Sequence, residues 1–130
     1  MTTTTAPTIY PVIRFADCEA GITFLVAAFG FTEHHIDRGP DGQIAHGELR
    51  FGDGFVMVGP SGGGETVFDT GPQSVYVVTD DIDALHDRAV AAGAEIVYPL
   101  TDQDYGSRDF AARDPSGNVW AFGTYNLTLG

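Results

Sequence analysis

Apolar positions fall into two blocks of the same order along the chain. Residues 9–15 alternate or run apolar and predict a strand. Asp17 then caps a helix in which Ile22, Leu25, Val26 and Phe29 recur at helical spacing until Gly30 stops it. Residues 31–38 and 44–51 predict a hairpin across Gly39-Pro40-Asp41-Gly42, and Gly52-Asp53-Gly54 turns the chain into a strand over 55–59. The second block predicts a strand over 74–79, then a helix capped by Asp81, with Ile82, Leu85 and Ala89 on one face, that Gly93 closes. Strands follow over 95–98, 108–113 and 119–125, the last entered through Pro115-Ser116-Gly117-Asn118. A loop over Pro99–Ser107, with Tyr105-Gly106 at its tip, has the length of a site rim.

Each block thus reads β-α-β-β-β, and an offset of sixty-four residues lays Tyr10–Asp17 over Ser74–Asp81 and Phe51–Val58 over Pro115–Phe122. The expected organisation is one domain of two modules, about 8–60 and 74–126, joined by a Gly- and Pro-containing linker over 61–73. At 130 residues the two modules must share a core.

Charge narrows the partners. Six Lys+Arg stand against 18 Asp+Glu, a formal net charge of −12, and no basic run exists, so nucleic acid and anionic membranes are excluded as partners. The same acidity suits solubility or the steering of a cationic ligand. Residues 1–7 have no basic or apolar signal character, and no run is long enough to span a bilayer, so the expected location is cytoplasmic. The single cysteine, Cys18, can form no internal disulfide and reads as a packed core residue.

The paired modules, the Asp-Ile-Asp-Ala-Leu run at 81–85 and the Arg-Asp-Pro-Ser-Gly-Asn-Val-Trp run at 113–120 resemble the vicinal oxygen chelate superfamily. That superfamily includes glyoxalase I, extradiol dioxygenases, fosfomycin-resistance enzymes and bleomycin-resistance binding proteins. The resemblance covers nearly the whole chain and implies an α+β fold: two paired β-α-β-β-β modules forming curved mixed sheets around a concave cleft, with helices on the convex face. It also implies a homodimer whose subunits complete each other's clefts.

Metal-dependent members take ligands from the first and last strands of each module. Carried over by their spacing from the helix cap and the Asp-Pro-x-Gly-Asn turn, those positions are Tyr10, Met57, Ser74 and Ala121. None is a usual ligand for a hard divalent metal, so neither a metal nor another cofactor is expected. Period two then assigns a small-molecule lining of Tyr10, Val12, Phe55, Met57, Ser74, Tyr76 and Ala121, with Phe110 and Ala112 from an inner strand and Tyr105 and Arg108 at the rim. Trp120, between Val119 and Ala121, is assigned to the helix-facing core.

Among the histidines, His34 and His35 are adjacent and so point to opposite faces of a strand, and His86 lies beside the apolar stripe of its helix. His46 and Glu48 share one face of a strand. They are the catalytic candidates as an acid–base pair; a polar pair on a wet face is the alternative. The expected function is a metal-free binding protein that sequesters an aromatic or cationic compound such as an antibiotic, like the bleomycin-resistance branch. Alternatives are a lyase or isomerase of the same superfamily acting on a small carbonyl compound through His46 and Glu48 or an atypical metal site, and an accessory subunit that uses the concave face for a protein.

Overall fold

The computed structural model describes residues 7–61, 67 and 70–125. Most of the run read as a linker, 61–73, and residue 126 lie outside the described residues. The element order is β1 (Val12–Phe15), α1 (Cys18–Phe29), β2 (Thr32–Arg38), β3 (Ile44–Phe51), β4 (Gly54–Pro60), β5 (Ser74–Val78), α2 (Ile82–Ala91), β6 (Glu95–Asp102), β7 (Arg108–Arg113) and β8 (Val119–Gly123). Two four-stranded sheets result, ordered β1-β4-β3-β2 and β5-β8-β7-β6. In each, the first strand runs parallel to the last and the other pairs are antiparallel.

Local chemistry accounts for the helix ends. Asp17 accepts a hydrogen bond from the Ala20 amide at 3.1 Å, Glu19 sits in the first turn, and Gly30 (φ 79°) lets the Phe31 N–H reach back to the Leu25 carbonyl at 3.2 Å. Arg88 of α2 donates to the Val26 and Ala27 carbonyls at 3.1 and 3.0 Å, which places a cation at the negative end of α1. At α2 the expected Asp81 cap differs in detail. Asp81 holds the capping position without a side-chain bond to the helix, and its own amide donates to Thr79 Oγ1 at 3.2 Å.

The Pro99–Ser107 loop is shorter than its sequence suggests. Pro99 to Asp102 continue β6, and the remaining tip closes when the Gln103 N–H donates to the Ser107 carbonyl at 2.7 Å. Pro99 is tolerated because the β6–β7 register is interrupted between Tyr98 and Thr101, on an edge strand.

One core serves both modules. Ile13, Phe15, Ile22, Leu25, Phe29, Leu49, Val56 and Val58 of the first join Leu85, Ala89, Phe110, Trp120 and Phe122 of the second. The Phe29 ring lies 4.7 Å from Phe122 and 5.9 Å from Trp120, and Phe31 lies 5.4 Å from Trp120. The helix-bearing face of each sheet is therefore spent on this shared core. Cys18 is buried at its margin, and burial followed by the charges of Glu19 and Asp17 raises its thiol pKa, as befits an inert cysteine.

Candidate functional site

The concave face of the first sheet is built by residues that alternate with the core set. Opposite Met57 stand Val12 on one side and Glu48 on the other, and His35 stands opposite Glu48, so one row across the sheet reads Val12, Met57, Glu48, His35. A cleft of about 300 Å³ lies over it, lined by Tyr10, His34, Glu48, Phe55 and Met57. Its rings meet edge to face, Tyr10 with Phe55 at 6.4 Å and His34 with Phe55 at 5.0 Å. Polar pairs flank it: His46 Nε2 bonds Glu48 Oε2 at 3.0 Å, and His35 Nε2 bonds Asp37 Oδ1 at 2.8 Å. A neighbouring cavity of about 270 Å³ is lined by Arg14, His46, Met57 and Gly59 among others. Arg14 donates to the Pro60 carbonyl at 3.2 Å, while its buried Nε has no partner among the described residues.

His34 is a residue that strand alternation misses. Glu33 pairs with Leu49 and His35 with Glu48, so one extra residue of β2 faces a single step of β3. This β-bulge turns His34 toward the cleft beside Phe55, instead of to the face opposite His35.

In the second module Ser74, Tyr76 and Ala121 lie on the concave face as expected. Phe110 and Ala112 do not. Phe110 pairs with Phe122 and Ala112 with Trp120, all four are buried, and the Phe110 ring stacks on Phe122 at 5.3 Å. The concave residues of β7 are instead Asp109 and Ala111, which stand opposite Gly123 and Ala121. His86 packs its ring edge-on against Phe110 at 5.1 Å, which ties it to the core.

Arg108 is not available at a rim. Its guanidinium is committed to Asp83 at 2.9 Å and Asp102 at 3.1 Å. Tyr105 is exposed, edge-on to Tyr125 at 6.0 Å. The Tyr76 hydroxyl donates to Asp109 Oδ1 at 3.0 Å and accepts from the Tyr125 amide at 3.2 Å, while Ser107 Oγ donates to the other Asp109 oxygen at 3.2 Å. Burial, opposed by the Tyr125 amide and reinforced by Asp109, pushes the Tyr76 phenol up to about 12.

A divalent metal of the kind the fold accommodates does not fit this donor set. The candidate positions carry a phenol, a thioether, a hydroxyl and a methyl group. Strand pairing sets Val12 beside Met57 and Tyr76 beside Ala121, which adds no better ligand. Among the described residues no three His, Cys, Asp or Glu side chains converge on a common point. No helix among them is long and apolar enough to cross a membrane.

Comparisons with known proteins agree with this architecture. The profile of the Glyoxalase/Bleomycin resistance protein/Dioxygenase superfamily matches residues 9–122. The uncharacterized protein Mb0911c of Mycobacterium bovis is 33% identical over 125 residues, spanning 90% of this chain and 82% of the relative. The crystal structure of TioX from Micromonospora sp. ML1 superposes with a TM-score of 0.76 at 33% identity, over 95% of this chain and 100% of TioX. The fosfomycin resistance protein FosX from Mesorhizobium loti shares the fold, with a TM-score of 0.66 at 16% identity over 93% of each chain. By its sequence and by its two β-α-β-β-β modules, the chain belongs to the glyoxalase/bleomycin resistance protein/dioxygenase superfamily.

Proposed function

We propose that the protein is a metal-free small-molecule-binding protein of the bleomycin-resistance kind, a cytoplasmic dimer that sequesters an aromatic or cationic compound such as an antibiotic. The observation that carries this reading is the cleft over Met57. At the first module's ligand positions this chain presents Tyr10 and Met57, which line the cleft with Phe55, His34 and Glu48, and the three apolar and aromatic groups suit the holding of a ring. The net charge of −12 supports the cationic option by steering.

A second reading rests on one distance. His46 and Glu48 are 3.0 Å apart at the edge of the same cleft, a geometry suited to proton transfer in a lyase or isomerase.

One experiment separates the two. The purified protein is analysed for metal and then titrated calorimetrically with aromatic cations and, separately, assayed with thiol adducts of dicarbonyl compounds. The binding reading expects sub-stoichiometric metal, a melting temperature indifferent to chelator, and ligand binding weakened by Phe55→Ala but not by His46→Ala. Turnover that His46→Ala or Glu48→Gln abolishes would overturn it in favour of the enzyme.

A further inference from the structure

Eighteen acidic side chains stand against six basic ones in this chain, and all six bases are arginines. Arg38, Arg108 and Arg113 are paired with carboxylates, Arg50 reaches Asp53 at 4.0 Å, and Arg88 serves the C-terminal end of α1. Arg14 differs. Among the described residues it has no carboxylate partner: Nη1 donates to the Pro60 carbonyl at 3.2 Å, and the buried Nε has no acceptor. A guanidinium carries five N–H donors, and a partly buried charge that leaves most of them unused is costly unless something else takes them up.

The backbone makes room for this side chain. Ile13 and Phe15 enter the core, so Arg14 leaves β1 on the concave face, opposite Gly59 of β4. A Cβ at Gly59 would stand 2.8 Å from Arg14 Nη1, so the guanidinium lies against bare backbone at a place that any larger residue would crowd. There it lines the cavity of about 270 Å³ together with His46 and Met57. Met57 also lines the cleft of about 300 Å³ with Tyr10 and Phe55. One apolar side chain thus joins a cationic compartment to an aromatic one. Glu48 and His46 are engaged with each other at 3.0 Å, which leaves the guanidinium as the uncommitted charge among the described residues around these two cavities.

We infer that Arg14 anchors a ligand carboxylate, and that the ligand is an organic acid whose apolar body lies over Met57 with its acid group over Gly59. The inference rests on the small-molecule-binding reading and fixes the charge of the ligand, an anion in place of a cation. The planar guanidinium offers paired N–H donors that match a carboxylate, and such charge-assisted bonds are about twice as strong as neutral ones. The net charge of −12 slows the approach of an anion, but long-range charge acts mainly on the rate of encounter, whereas contact with one guanidinium acts on the bound complex. Met57 and Gly59 are two residues apart on β4, roughly 7 Å. The acid group must therefore stand off from the body by several bonds.

The test is calorimetric titration of the full chain with 5-phenylpentanoate, its amide and 5-phenylpentylamine, which share a body and differ in charge, with benzoate as the short control. The acid is expected to bind at least tenfold more tightly than the amide, the amine and benzoate. Arg14→Gln should abolish the preference for acid over amide while leaving the affinity for the amide unchanged, and Gly59→Ala, which displaces the guanidinium, should reduce it several-fold, with circular dichroism unchanged in both. Arg14→Lys, which keeps the charge and loses the fork, should retain part of the preference. If Arg14→Gln fails to fold, Gly59→Ala and Arg14→Lys decide in its place. Tighter binding of the amine or the amide than of the acid, or an acid preference that survives Arg14→Gln, would overturn the carboxylate anchor while leaving the binding reading intact. Absence of binding by all four compounds would overturn both.

Discussion

At Asp114 one buried carboxylate accepts from the Ser116 and Asn118 amides at 3.0 Å each, from Asn118 Nδ2 at 2.9 Å and from Trp120 Nε1 at 2.8 Å. The Asp-Pro-Ser-Gly-Asn turn is therefore a lock that seats Trp120 in the core, which explains its residue types without any role in binding. Asp114→Ala would strand the Asn118 amide and the indole N–H, both buried, and should lower stability by about 3 kcal/mol in urea denaturation. Asp114→Asn, which keeps acceptor capacity, should cost less. Tyr76 supplies a pH signature. Its phenol titrates near 10 when unfolded and at about 12 when folded, so below pH 10 both states hold the proton and its contribution is complete. Between pH 10 and about 12 the unfolded state loses the proton first, and stability falls as pH rises. Tyr76→Phe should flatten that alkaline slope in melts taken across the same window; an unchanged slope would mean that another group causes it.

Element by element, what the sequence reveals is what period and turn chemistry determine. All eight strands and both helices follow from alternation, helical spacing and caps, and Leu49 and Trp120 fall on the helix-facing side as their neighbours require. The errors come from single-residue slips, which composition does not announce. In the first module Phe51 pairs with Gly54 across a two-residue turn, whereas in the second Arg113 pairs with Val119 across residues 114–118. The repeat offset is therefore sixty-four on β4 and β8 but sixty-three on β3 and β7, so Glu48 corresponds to Ala111, and Phe110 moves into the core. The His34 bulge is a second slip of this kind, and it changes which histidine enters the cleft. Ala111 went unread on the concave face for the same reason, because its orientation depends on a register known only from the paired strands. A propensity argument fails in a similar way at Gly21. Alanine is favoured over glycine by about 1 kcal/mol inside a helix, yet a Cβ at position 21 would fall within the Phe15 ring that packs beneath α1. Overpacking costs about 1–3 kcal/mol, so Gly21→Ala should lower the melting temperature; a rise would show that Phe15 can move aside.

For the molecule as a whole, the shared core and the open sheets make different demands. Phe29 and Phe31 of the first module pack on Trp120 and Phe122 of the second, so the modules should unfold in one transition, and Trp120→Ala should destabilise that single transition by about 3–5 kcal/mol. Among the described residues the concave faces have no such cover, and Tyr10, Tyr76, Val78 and Tyr98 stay exposed there. The proposed dimer would cover these faces. Charge sets the sign of a test. Bringing together two chains of −12 is opposed by long-range repulsion, which salt screens over a Debye length of about 8 Å at physiological ionic strength. An interface made mainly of aromatic and methyl contacts should therefore tighten as salt rises. Sedimentation equilibrium at micromolar protein is expected to give a dimer whose dissociation constant falls between low and high salt. A dimer that loosens with salt would point to ion pairs between subunits. A monomer under all conditions would remove the shared cleft, and each sheet would have to hold its ligand alone.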